Sequence, residues 1–221
     1  MAEITWLGYE CFRIRAREAT IITDPYASGL GYQLPKGLLA DIVTVSNPDD
    51  TYLNNTAAIK RKEGEARVID GVGEYEVSTV FINGIASQRD KKKGQERGKN
   101  TIYTMTVEDI NICHLGDLGH ALTAAQNEAI GDVDILFIPI GGNGGMDAAM
   151  ASEVIGQLEP RIVIPMRYRT GENQPAPDVK LDTVERFAKE LGLKDPVALE
   201  KLSIKKADLP ENTQVILLEA K

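Results

Sequence analysis

The run Ile110-Asn111-Ile112-Cys113-His114 has the apolar, β-branched character of a strand, and it stops at Leu115-Gly116-Asp117-Leu118-Gly119-His120. Two glycines around Asp117 allow a tight turn that leaves the carboxylate at a strand's C-terminal end, where layered α/β folds collect ligands. Two histidines and a carboxylate so close together suit a metal or hydrolytic site, and the same spacing suits a turn with a capping Asp. What the remainder of the chain brings to Asp117 decides between them.

Before this stretch the pattern is that of strands joined by turns. Glu3 to Leu7, Cys11 to Ile14 and Ala19 to Thr23 open a meander, and Asp41 to Ser46 is a buried strand by its β-branched content. Asn47-Pro48-Asp49-Asp50-Thr51-Tyr52 follows, with a short helix expected from Asn54 to Lys60. Ala66 to Asp70, Gly73 to Val77, Thr79 to Ala86 and Thr101 to Val107 read as further strands around the charged loop Arg89 to Lys99. After His120 the period changes. Helices are expected over Thr123 to Ile130, Asp147 to Leu158 and Leu181 to Leu191, strands over Asp134 to Ile140 and Arg161 to Met166, and closing strands at Ile204 and Gln214 to Leu218. Short connections and the absence of an internal repeat make residues 1–221 one domain in which two sheets pack face to face under helices.

The net charge of −8 argues against nucleic acid or an anionic membrane as the main partner, so any anion site has to be local. No apolar run reaches the length of a membrane span and the N-terminus carries no signal-peptide pattern, so a cytoplasmic location is expected. Cys11 and Cys113 sit in apolar segments and read as buried free thiols.

Several segments together resemble one family. They are Ile4-Thr5-Trp6-Leu7-Gly8 with Cys11-Phe12-Arg13-Ile14, Thr23-Asp24-Pro25-Tyr26, Asp41 to Ser46, Arg97-Gly98-Lys99-Asn100-Thr101, His114 to His120, Ile138-Pro139-Ile140-Gly141-Gly142 and Ile162-Val163-Ile164-Pro165-Met166. The chain is similar to the metallo-β-lactamase fold superfamily, and within it to hydrolases of the L-ascorbate-6-phosphate lactonase kind. The resemblance implies an α/β (α+β) fold, a four-layer αββα sandwich, with one or two divalent metals normally held along the edge where both sheets end.

On that resemblance most metal ligands are replaced. The family's His-x-His-x-Asp-His corresponds to Asn47, Pro48, Asp49, Asp50, Thr51 and Tyr52; its next histidine corresponds to Arg89, and its last to Arg167. Asp117, the bridging carboxylate of the family, stays in place, Tyr9 stands where a histidine is usual, and Asn143 follows Gly142. Neither an amide nor a guanidinium replaces an imidazole as a zinc ligand at neutral pH. Arg89 or Arg167 beside Asp117 or Asp49 would instead neutralise the carboxylate. His114 and His120 flank Asp117 and suit supporting hydrogen bonds.

Three functions follow as expectations. The preferred one is a member that has lost metal-dependent hydrolysis, binds no cofactor and retains the fold for binding or assembly, homo-oligomers included. The second is a hydrolase with a relocated or single divalent metal on Asp49, Asp50, Asp117, His114 and His120, oxygen-rich and so suited to a hard ion. The third is a sensor of a small anionic ligand using Arg89, Arg167, Arg169 and Lys91 to Lys93.

Overall fold

The computed structural model describes residues 1–50, 52–171, 180–194 and 196–221. It has two large sheets and few helices. The strands are β1 (Ala2–Gly8), β2 (Cys11–Arg15), β3 (Thr20–Thr23), β4 (Ile42–Thr44), β5 (Arg67–Ile69), β6 (Gly73–Val77), β7 (Val80–Gln88) and β8 (Lys99–Val107). They continue as β9 (Ile110–His114), β10 (Ile135–Pro139), β11 (Ile162–Met166), β12 (Ala198–Leu199), β13 (Leu202–Ile204), β14 (Gln214–Val215) and β15 (Leu217–Leu218). The helices are α1 (Ala124–Ile130), α2 (Ala148–Leu158) and α3 (Val184–Glu190).

One sheet runs β13-β1-β2-β3-β4-β5, the other β14-β11-β10-β9-β8-β7-β6, and β12 pairs with β15. Each sheet is an antiparallel meander that turns parallel partway across, at β3-β4-β5 in the first and at β9-β10-β11-β14 in the second. Parallel strands have their C-terminal ends on one edge, so the loops leaving β9, β10 and β11 emerge together. β7 runs antiparallel to β8, which runs antiparallel to β9, and so β7 ends on the same edge.

Period-two alternation assigns the two faces of the first sheet. Ile4, Trp6, Phe12, Ile14, Ile21 and Ile42 point into the main core between the sheets. Leu7, Cys11, Ile22 and Val43 point to a second, smaller core under the segment that carries Tyr26, Leu30, Tyr32, Leu38, Leu53 and Ile59. Leu7, Phe12, Val43, Ile112 and Ile164 are all buried. Phe12 of the first sheet stacks on Phe137 of the second at 4.1 Å between centroids and 11° between planes, a direct aromatic tie across the core.

The helices begin where their caps dictate. Thr123 and Gln126 form a reciprocal capping box on α1, and the Asp147 carboxylate accepts from the Met150 N–H to open α2. Ala148, Met150, Ala151, Val154 and Leu158 form the buried stripe of α2. Two expectations shorten. The segment 54–60 contains only a 3-10 turn, Thr56–Ala58, because its backbone is used elsewhere: the Asn55 N–H donates to Pro25 O and Lys60 O accepts from the Ala40 N–H. The last helix starts at Val184 instead of Leu181, since the Asp182 N–H donates to Gly141 O and Asp182 O accepts from the Arg169 N–H. Among the described residues no helix is long and apolar enough to cross a membrane.

Candidate functional site

Asp117 sits in the turn after β9, and its position is built by its neighbours. Its N–H donates to Asn100 Oδ1 at 2.9 Å, while Asn100 Nδ2 donates to Leu115 O and to Ser87 Oγ. Gly116 has φ +57°, and a Cβ there would lie 2.5 Å from Asn100 Oδ1, so a side chain would push the turn off the asparagine that holds it.

Three guanidinium groups converge on Asp117. Arg89 Nε and Arg97 Nη2 each donate to Oδ2 at 2.8 Å, and Arg167 Nη1 stands 3.1 Å from Oδ1. Arg89 follows β7 and Arg167 follows β11, which is why residues distant in sequence meet on this edge. Arg89 Nη2 also donates to Asp50 Oδ2 at 2.9 Å. Arg167 takes a left-handed φ of +53°, its N–H donates to Tyr9 O, and its guanidinium carbon lies 5.5 Å from the Tyr9 ring centre. Burial pulls the Arg167 pKa down, but Asp117, Tyr9 and Glu10 outweigh it and hold the guanidinium firmly charged.

Glu10 completes the buried set. Its Oε1 is 2.8 Å from Arg167 Nε, an ion pair by distance, yet the N–H is not directed along it and neither Glu10 oxygen accepts a hydrogen bond among the described residues. Burial raises its pKa well above the usual carboxylate range, and the charge of Asp117 adds to the rise. Nearby, Asp24 accepts from Ser46 through both its N–H and its hydroxyl; burial, opposed by those bonds and assisted by Asp50 and Asp117, pushes its pKa up to about 7.

The loop after β7 is shaped by Asp90, whose carboxylate accepts the N–H groups of Lys92, Gly94, Glu96 and Arg97. Desolvation raises the Asp90 pKa, but these four bonds outweigh it and lower the net value. Asp90 thereby aims Arg97 at Asp117. Lys91 and Lys93 are exposed, and Lys92 pairs with Glu96.

Other residues singled out in the sequence are placed differently. The Asn47 side chain accepts from the Asp49 N–H in its own loop, Asp49 and Asn143 are exposed, and Tyr52 is half exposed. Thr51 lies outside the described residues. His114 is sealed, with Nε2 2.9 Å from Glu10 O and Nδ1 accepting from the Gly116 N–H; burial lowers its pKa to about 4, so it is neutral near pH 7. His120 accepts from the Gln88 N–H and sits 2.7 Å from Ala121 O. Both histidines therefore serve backbone groups, and Asp49 points to solvent, so the proposed relocated metal set does not gather around Asp117. Arg169 is exposed and lines a separate cleft with Thr170 and Glu185.

The part of Arg97 in the cluster, and those of Glu10 and Asp24, were not legible as site features. The available signals were a carboxylate amid Gly8-Tyr9 and Cys11-Phe12, and an Asp-Pro step closing an apolar strand.

A divalent ion does not fit this arrangement. Among the described residues no group of three or more His, Cys, Asp or Glu side chains is placed to hold one, and both oxygens of Asp117 already face guanidinium groups.

Residues 3–167 match the Beta-lactamase superfamily domain. The chain is 33% identical to a Thermotoga maritima protein whose crystal structure is described as a putative Zn-dependent hydrolase of the metallo-β-lactamase superfamily; the TM-score is 0.78, covering 99% of this chain and 98% of that one. It is 26% identical over 193 residues to a protein of Thermococcus kodakarensis named a UPF0173 metal-dependent hydrolase, covering 77% of this chain and 86% of the relative. The fold also matches a metallo hydrolase of Ignicoccus hospitalis at TM-score 0.66 and 17% identity, over 92% of this chain and 99% of that one. This chain belongs to the metallo-β-lactamase superfamily.

These findings overturn the preferred expectation of a pseudoenzyme with a degenerate metal site, kept for binding or assembly. Replacement of imidazoles suggests loss of hydrolysis, whereas relatives that match along most of their length are named metal-dependent hydrolases.

Proposed function

We propose that this chain is a hydrolase, the reaction class for which its relatives are named. The observation that carries the reading is the match, at 33% identity along nearly the whole chain, to the protein described as a putative Zn-dependent hydrolase. The names of the relatives place a metal in their chemistry. Because the donor set here does not fit one as arranged, no step is derived through a metal.

The groups around Asp117 have a chemistry suited to hydrolysis. Attack of water on an ester, lactone or phosphoester builds negative charge on the oxygens of the reacting centre, and fixed guanidinium groups at a low-dielectric sheet edge stabilise such charge. Arg89 and Arg97 reach the surface in part and supply it, while Arg167 lies beneath and holds Asp117 and Glu10. Asp50, partly exposed and fixed by Arg89, is the carboxylate placed to accept a proton from attacking water.

The test is turnover of lactones, aryl esters and phosphodiesters by protein purified without chelator, assayed with EDTA and with added zinc or manganese. Hydrolysis of at least one class is expected, with loss in Asp117→Asn and Asp50→Asn. No turnover in any arm would overturn the reading. Activity removed by EDTA and restored by manganese would show that the arginine cluster opens to admit an ion.

A further inference from the structure

We propose that the outward edges of Arg89 and Arg97 form the recognition site for a small oxyanion, a carboxylate or phosphate group, carried by the substrate. This deepens the hydrolase reading and rests on it. Of the three arginines on Asp117, Arg167 is 2% exposed, whereas Arg89 and Arg97 keep 15% and 21% of their side-chain surface. The anion is therefore met by these two.

Each guanidinium is fixed by only part of its fork. Arg89 spends Nε on Asp117 and Nη2 on Asp50; Arg97 spends Nη2 on Asp117 and Nη1 on Arg89 O. Among the described residues Arg89 Nη1 and Arg97 Nε make no hydrogen bond, which leaves on each guanidinium a donor not committed to an anchor. Both side chains bond the same Asp117 oxygen and so stand side by side, presenting donors of matching charge to one oxyanion. Their anchoring carboxylates hold the rotamers before any ligand arrives, which lowers the entropy lost on binding. The Arg97 backbone is fixed as well, by the Asp90 carboxylate, and Gly145 packs its backbone against the Arg97 guanidinium, where a Cβ would lie 2.7 Å from Nη1.

The carboxylates bonded to the two forks are Asp117, which both share, and Asp50, which sits beside Arg89 Nη2. An anion at the outer edges meets donors first. Lys91 and Lys93, the loop's exposed cations, carry no such anchoring and take no part.

Calorimetric titration with inorganic phosphate, and separately with citrate, at constant ionic strength tests this. Saturable binding of at least one probe is expected; which one binds distinguishes a phosphate-bearing from a carboxylate-bearing substrate. Arg97→Gln and Arg89→Gln should weaken it by about tenfold or more, and Arg97→Lys, which retains the charge and loses the fork, by a smaller factor. Lys91→Ala with Lys93→Ala should leave it unchanged. If Arg97→Gln fails to fold, Arg97→Lys carries the test. No saturable binding of either probe, undiminished binding in Arg97→Lys, or loss in the lysine variant would overturn the proposal. Hydrolysis of esters without binding of either probe would sink this site alone, and binding without any turnover would sink the hydrolase reading alone.

Discussion

Arg167 Nη1 lies 3.1 Å from Asp117 Oδ1, and the same guanidinium reaches Glu10 through Nε at 2.8 Å, with all three side chains buried. One buried cation thus serves two buried carboxylates, but they do not depend on it equally. Asp117 also has Arg89 and Arg97, whereas Glu10 has no other cation within ion-pair distance among the described residues.

Arg167→Ala should therefore lower the unfolding free energy by about 3 kcal/mol, because it takes a buried cation from Asp117 and leaves Glu10, whose pKa is already raised well above the usual carboxylate range, without one. Adding Glu10→Gln should recover more of that loss than adding Asp117→Asn. Urea denaturation of the single and double variants measures the order, and a larger recovery from Asp117→Asn would identify Asp117 as the stranded group.

Asp24 and His114 oppose one another in pH dependence. With its folded pKa raised from 3.8 to about 7, Asp24 binds an extra proton in the native state, so its contribution to stability is lost as pH rises across that window. With its folded pKa lowered from 6.5 to about 4, His114 contributes stability that is present above 6.5 and lost as pH falls toward 4. Asp24→Asn should make the slope of stability against pH between 4 and 6.5 more positive than in the wild type by about 1 kcal/mol per unit. His114→Gln should move it the other way. Parallel curves for wild type and Asp24→Asn would mean that Asp24 titrates alike folded and unfolded.

Gly119 is where the Asp117 turn touches the strand end bearing Arg89. A Cβ there would stand 2.0 Å from Arg89 O and 2.6 Å from Asp90 N, both backbone atoms. Gly119→Ala should cost about 3 kcal/mol through this overpacking. At Gly131, where φ +67° with ψ −151° is a conformation only glycine adopts readily but nothing lies within 4 Å, Ala should cost about 2 kcal/mol of backbone strain alone. Thermal unfolding of the pair gives the comparison, and equal losses would show that the contact at Gly119 relaxes freely.

Cys11 and Cys113 are fully buried free thiols, and burial raises both pKa values. A thiol reagent at pH 8 should label neither in the folded protein within the time it labels both in urea. Rapid labelling of the native protein would mean that one of these core strands opens locally.

Much of the architecture was legible in residue order, because local rules decide it. Alternation in β1 to β3, the unbroken apolar run of β10 and the caps at Thr123 and Asp147 act over a few residues and are visible without tertiary knowledge. Two expected helices are shorter than local pattern suggests where tertiary hydrogen bonds take the backbone at Asn55, Lys60 and Asp182.

By itself, then, the sequence determined the succession of strands and helices, the family it resembles and the glycine turn that carries Asp117, since periodicity, caps and turn residues are local properties. Only the tertiary structure decided what Asp117 meets. Arg89 and Arg97 come from the two ends of one loop, Arg167 from a second and Glu10 from a third; their convergence depends on strand order and on two sheets ending at one edge. The identity of an arginine says it can pair with a carboxylate, but burial and distance select which one, and those are set by packing across the whole chain.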